Sequence, residues 1–300
     1  MYKMVKRTEL MLVIGYGVAG VCWAAQSVDR SVKVSPGAEI QVENLAGSLV
    51  FEGTNGFEVT VTGTLGDGVE ALEFDVDEYD GTVYIEVEFD EDFHGRQNQN
   101  TDLFIELPSS CPLSVETVSS SITVRGLDAE VEIETVSGAV QVSGTPSALD
   151  IENVSGKVVV DMAPADTGIE SVSGSIEIGM VNGYIDAENV SGAISIQGGT
   201  LAGADFETVS GNITCHAVPG PSGDVDMETM SGTITLAAHP DMVASYQIET
   251  FSGSIANEFG PEPRSVSKYT PGKDLQFNTG PGGPRISLSS FSGAIKLVTP

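Results

Sequence analysis

The segment Ser119–Gly253 repeats itself: SSSITVRGLDAEVEIETV (119–136), SGAVQVSGTPSALDIENV (137–154), SGKVVVDMAPADTGIESV (155–172), SGSIEIGMVNGYIDAENV (173–190), SGAISIQGGTLAGADFETV (191–209), SGNITCHAVPGPSGDVDMETM (210–230) and SGTITLAAHPDMVASYQIETF (231–251). The opening Ser of each unit is spaced by 18 residues four times, then by 19, then twice by 21. A fixed period of about 20 residues is the signature of a stacked repeat array. Three residues after each Ser stands an aliphatic residue (Ile122, Val140, Val158, Ile176, Ile194, Ile213, Ile234), and two further on stands another (Val124, Val142, Val160, Ile178, Ile196, Cys215, Leu236). That is strand spacing with one face buried. A second apolar pair follows in each unit, such as Val131 and Ile133 or Leu149 and Ile151, and Gly, Pro, Asp and Asn lie between. Those are turn residues.

Each unit therefore reads as strand, turn, strand, turn. The expectation is an all-β, single-domain β-solenoid (β-helix) with about two strands per coil and 18–21-residue repeats. The Ser-Gly step is its corner, and Gly there predicts a positive φ. A triangular hexapeptide helix requires an aliphatic residue every sixth position, but Pro146 and Pro164 follow Val140 and Val158 at that distance. Each unit buries four or five apolar side chains, worth roughly 1.5–3 kcal/mol each. The entropy cost of ordering 18 residues is of similar size, so stability resides in the stacking between neighbours.

Outside the array the pattern loosens. Residues 1–27 read as a secretory leader: Lys3, Lys6 and Arg7 precede the apolar run Leu10–Ala25, and cleavage falls near Ala24 or Ser27. A retained anchor and lipidation of Cys22 are the alternatives, the second weakened by the bulky Val21 before it. Residues 28–110 read as irregular N-terminal β coils or a cap, 111–258 as the regular repeats, and 259–300 as an inserted loop followed by a last coil. The residue before each corner grows from Val to Met230, Phe251 and Phe291, which suggests a plug over the open end of the core. Cys215 takes a core position in its repeat and Cys111 stands at a strand entry; both read as small apolar residues, with a disulfide between them as the alternative in an exported protein.

The repeated Glu-Thr/Asn-Val-Ser-Gly-x-Ile-x-Val, the Asn44-Leu-Ala-Gly47 corner and the Ile105-Glu-Leu-Pro108 strand resemble a bacterial family of unknown function that bears the name "putative adhesin". The resemblance covers about residues 34–298. It implies an exported β-solenoid, and it brings no catalytic or ligand residues with it.

The formal charge is −30, from 13 basic and 43 acidic side chains. Such an excess argues against nucleic acid and anionic membrane as partners. Two residues before each corner aliphatic stands a glutamate: Glu116, Glu134, Glu152, Glu170, Glu188, Glu207, Glu228 and Glu249. Stacked, they form an acidic ladder of mutually repelling charges about 5 Å apart. Solvent, a basic partner or cations would offset that repulsion. Calcium is the cation such oxygens would take, although the calcium-binding nonapeptide repeat and the EF-hand spacing are absent, and no cofactor is otherwise expected. Beside the ladder run Thr117, Thr135, Asn153, Ser171, Asn189, Thr208, Thr229 and Thr250, which predict hydrogen bonds to neighbouring repeats. His94, His216 and His239 are isolated, and no nucleophile elbow, zincin or phosphate-loop motif is present. The residues thus point to a non-enzymatic exported protein, periplasmic, surface-held or secreted, presenting an acidic face to a protein or glycan at the envelope. A carbohydrate-active β-helix enzyme and an envelope-stress or scaffold partner without adhesive role are the alternatives.

Overall fold

The structure is a computed structural model that describes residues 26–89, 100–267 and 270–300. The expected leader lies outside these residues, apart from its last two positions. Among the described residues there are 24 strands and no helix.

Alternation in the sequence becomes alternation in burial. In the strand Val131–Ser137, Val131, Ile133 and Thr135 point inward, while Glu132, Glu134 and Val136 point outward. The strand Leu149–Ser155 lies parallel to it, pairing Leu149 with Val131, Glu152 with Glu134 and Ser155 with Ser137. The same register continues through Glu170, Glu188, Glu207 and Glu228. A second parallel ladder carries Ile122, Val140, Val158, Ile176, Ile194, Ile213 and Ile234 in line. The inward faces of both ladders share one apolar core, in which Ile176, Ile194 and Ile213 are completely buried.

The regular single-domain β-solenoid with two strands per coil is nevertheless overturned. All 24 strands belong to one large mixed sheet, sandwich-like around its core. Three observations carry the correction. The strands Ile176–Asn189 and Ile194–Thr208 run unbroken for 14 and 15 residues, joining what was expected to be two strands. Both ends of the sheet are antiparallel: Glu58–Leu65 pairs with Gln26–Lys33 and Thr101–Pro108, Val69–Val76 with Val83–Phe89, and Thr270–Asn278 with Ser245–Thr250. Finally, spatial order departs from chain order at both ends. Ile40–Thr54 lies between Val83–Phe89 with Thr101–Pro108 on one side and Leu113–Arg125 on the other. At the far end, Arg285–Ser290 slots between Val225–Thr229 and Ser245–Thr250, and Ala294–Val298 between Thr233–Ala237 and Ser254–Asn257. The physical reason is the edge problem. A parallel ladder that only advances leaves a long unpaired strand at each end. Here the chain reverses at each end, adds antiparallel strands, and returns to fill an inner place.

The Ser-Gly corner also differs from expectation. Gly138 and Gly156 have φ of 152° and 134°, but the later corner glycines are not in the positive-φ region. They are glycine because the chain stacks on itself there. A Cβ on Gly174, Gly192, Gly211 or Gly232 would lie within 1.7–1.8 Å of the carbonyl oxygen of the preceding corner glycine. Serine secures the same contact, since Ser155, Ser173 and Ser191 Oγ donate to the carbonyls of Val136, Val154 and Val172 at 3.2 Å. The pre-corner Met230, Phe251 and Phe291 do not plug the core, because each is more than half exposed.

Gly192→Ala should therefore destabilise the protein by about 2–3 kcal/mol, as overpacking against rigid backbone does. Gly198→Ala, whose new carbon meets only the flexible Met180 Sδ at 3.3 Å, should stay within about 0.5 kcal/mol of the parent. Urea unfolding of the two variants checks the order.

Candidate functional site: an acidic and apolar trough

Three columns of side chains define a trough along the second half of each repeat. Its floor is the inward row Thr117, Thr135, Asn153, Ser171, Asn189, Thr208 and Thr229, all buried. These side chains hold the corner. Asn189 Oδ1 accepts from the Gly192 and Ser191 amides at 2.7 and 3.0 Å, while Asn189 Nδ2 donates to the Gly174 carbonyl at 2.6 Å. Ser171 Oγ and Thr208 Oγ1 accept from the Gly174 and Gly211 amides at 3.1 and 3.0 Å. Most of these buried hydroxyls and amides are thus committed to the fold, Asn153 Oδ1 being left without a partner among the described residues, and Asn153 and Asn189 both lie buried.

One wall is the glutamate column. Glu116, Glu134, Glu152, Glu170, Glu188, Glu207 and Glu228 stand side by side, all exposed. The column is longer at one end than the repeat predicts. Glu43 pairs with Glu116 and Glu86 with Glu43, which makes nine consecutive glutamates over about 38 Å. At the other end it is interrupted, because Ser289 stands between Glu228 and Glu249. Sequence reasoning missed Glu43 and Glu86 because they lie outside the periodic segment. It overlooked Ser289 because spatial order departs from chain order there.

The opposite wall is apolar. Val118, Val136, Val154, Val172, Val190 and Val209 are each 46–50% exposed, and Met230 is 58% exposed. Leu45 adjoins Val118 at one end, and Phe291 and Phe251 continue the column at the other. The two phenylalanine rings stack with centroids 4.8 Å apart and planes 7° from parallel. This column went unrecognised as a surface in the sequence, where these residues read as corner aliphatics and an end plug. The signal was present: once Ile133 points inward, period-2 alternation sends Glu134 and Val136 outward together. Between the walls the trough encloses about 820 Å³.

Charge on the glutamate wall is not neutralised from within. Between Gly126 and Pro263 the only basic residue is Lys157, and it pairs with Glu177 at 2.7 Å on the other ladder. Among the described residues no glutamate of the wall has an ion-pair partner. Partial burial, followed by the neighbouring carboxylates, raises Glu43, Glu134, Glu170 and Glu207 above the ordinary carboxylate range. Burial likewise raises Asp186 and Asp205 in the acidic column two residues upstream, for Asp205 with added repulsion from Asp186 and Asp226.

Little here supports turnover. His216 and His239 are exposed, and His239 Nδ1 sits 3.6 Å from Asp241; His94 lies outside the described residues. Among the described residues no group of three or more His, Cys, Asp or Glu side chains is arranged to hold a metal ion. Cys111 and Cys215 are buried free thiols, the latter pushed up to about 12 by desolvation. The arrangement is suited to binding along a line.

No family model matches the chain, and no curated protein matches its sequence. Among solved structures, a "putative adhesin" from Parabacteroides distasonis is similar at 13% identity and TM-score 0.44, covering 91% of this chain and 98% of the other. A "putative lipid binding protein" from the same organism gives 16% identity and TM-score 0.46 over 91% and 96%. A "putative adhesin" from Bacteroides fragilis gives 13% and 0.39 over 93% and 100%. At such identities and scores, these likenesses carry nothing over to the trough. No helix among the described residues is long and apolar enough to cross a membrane.

The raised carboxylates set the sign of the pH dependence. Their folded pKa exceeds the unfolded value, so the folded state binds more protons in the interval between the two. Stability should accordingly rise as pH falls from neutral into that interval, and added salt should stabilise at neutral pH. Glu134→Gln and Glu170→Gln should each raise Tm by about 1–2 °C at pH 7 and flatten the rise on mild acidification. Thermal unfolding between about pH 5 and 7.5 measures both effects.

Proposed function

We propose that this chain is a non-enzymatic exported binding protein that uses the trough to hold a partner at the cell envelope, as an adhesin or an interaction scaffold. The observation that carries this reading is the pairing of an un-neutralised glutamate wall with a half-exposed apolar wall over the same seven repeats. Each wall is costly if it faces only water. The carboxylates repel one another, and contiguous exposed apolar surface of this kind marks interaction sites. A partner that covers both walls removes both costs. Export rests on the leader expected at residues 1–27, followed by a mature chain rich in acid and in strand. The floor residues belong to the scaffold, so specificity comes from the two walls.

A photo-crosslinking residue placed at Val172, with the leader retained and the protein expressed in a bacterial host, tests this reading. The expected result is discrete adducts from Val172 and none from Gln141, an exposed position on the other ladder. Equal labelling from both positions would overturn the reading. So would hydrolysis of a polysaccharide that is lost when two trough glutamates become glutamine.

A further inference from the structure

The trough also carries information about the shape of what fills it. We infer that its occupant is a basic amphipathic α-helix of about 20 residues, lying lengthwise with apolar side chains on the valine column and Lys or Arg over the glutamates. This deepens the reading above and rests on it.

Charge selects first. The wall is anionic along its whole length, and among the described residues none of its glutamates has an ion-pair partner. A second copy of this protein would bring two glutamate columns together, and with a formal charge of −30 self-association through this face is opposed. A nucleic acid or an anionic lipid surface is repelled for the same reason. A cationic partner is drawn in, and its apolar side must meet the valines.

Backbone chemistry selects next. The repeats on either side of the trough are already paired in continuous parallel ladders, so no sheet edge opens into it. A partner cannot add as a strand here. The floor hydroxyls and amides are largely committed to the corners. An extended peptide would find glutamate oxygens for some of its amides, and nothing for its carbonyls. An α-helix brings its backbone groups already satisfied.

Spacing then agrees. Successive repeats lie about 4.8 Å apart. A helix presents one face every 3.5 residues on average, about 5.2 Å at 1.5 Å per residue. Between Val118 and Met230 there are six steps, about 29 Å, which is the length of about 19–20 helical residues. The two periods stay within about 1.5 Å of each other over three successive steps and drift apart by about 3 Å over all six, so the helix keeps step with about half of the column at a time. An extended chain repeats its side every 6.6–6.8 Å or so, and falls out of step with the columns within two repeats. The stacked Phe251–Phe291 pair closes the apolar end with a flat aromatic face, a favourable seat for an arginine.

The test uses the full chain and a synthetic 20-residue Leu/Lys peptide patterned to form an amphipathic helix. Two controls share its composition, one scrambled to remove the face and one alternating Leu and Lys with period 2. Fluorescence anisotropy should give binding at least about tenfold tighter for the helical pattern than for either control. Circular dichroism should show helix gained on mixing. Val172→Ser with Val190→Ser, both surface changes, should weaken binding about tenfold with Tm essentially unchanged. Glu152→Gln, Glu170→Gln and Glu188→Gln together should reduce the salt dependence and the association rate. Equal binding of the scrambled peptide, or no loss in the valine variant, would mean that charge alone acts and would overturn the inference. Preference for the alternating peptide would overturn it in favour of an extended occupant. If the helical peptide fails while Val172 still forms discrete adducts, the occupant has other chemistry and the binding reading survives without this one.

Discussion

The constraint on which the molecule depends is the near-contact of each corner glycine with the carbonyl oxygen of the corner glycine stacked against it. From Gly156 to Gly253 these corners stack so closely that a methyl group would overlap backbone. That closeness fixes the register of both ladders. With the corners superposed, residues 18, 19 or 21 apart in sequence stand directly side by side whatever the intervening turns do. In-register parallel pairing then places like on like: isoleucine over isoleucine inside, glutamate over glutamate outside. The stacked apolar core and the stacked outward column are two consequences of one alignment, although the alignment fixes only that like stands on like and not which residue stands outside.

How far this was visible in the residues differs from one element to the next. The inward positions were legible from period-2 alternation, as was the parallel pairing between units. The Ser, Thr and Asn rows were legible as corner ties. The architecture was not. The corner Ser289-Ser-Phe-Ser-Gly293 is locally the same as its predecessors, and nothing in its composition says that it returns to lie between two earlier repeats. Ile40–Thr54 gives no local sign that it will be flanked on both sides by later strands. Periodicity reports which residues become neighbours in an ideal stack, but the choice of order is made by closing exposed edges, a property of the whole sheet. The valine wall was hidden for a different reason. A residue named by its place beside a turn was not followed through the alternation that governs its neighbours two positions upstream.

The two ends of the sheet solve the same problem with different material. Near the N-terminus the strands Glu58–Leu65 and Val69–Val76 reverse against later strands. Near the C-terminus Arg264–Ser267 and Thr270–Asn278 form a hairpin over Ser245–Thr250, and Phe277 stacks on the buried Tyr246 with ring centroids 4.6 Å apart. This hairpin carries Arg264 and Lys273, two of the six lysines and arginines in the second half of the chain. An antiparallel strand at the end is a poor template for extending a parallel ladder in register.

That leaves the acidic wall as the feature the fold does not require. The register demands that equivalent positions stack, but it does not demand glutamate at them. Glutamine or serine would preserve every backbone hydrogen bond and remove the repulsion, and at Ser289 the column tolerates that replacement in the midst of its neighbours. Threonine serves similarly on the outward face of the other ladder, where Thr214 and Thr235 stand opposite each other. The chain thus has neutral solutions available and uses them elsewhere. Nine adjoining glutamates, eight of them beside a continuous apolar column, are a choice that the backbone does not impose, and the binding role proposed for the trough would give both walls a use.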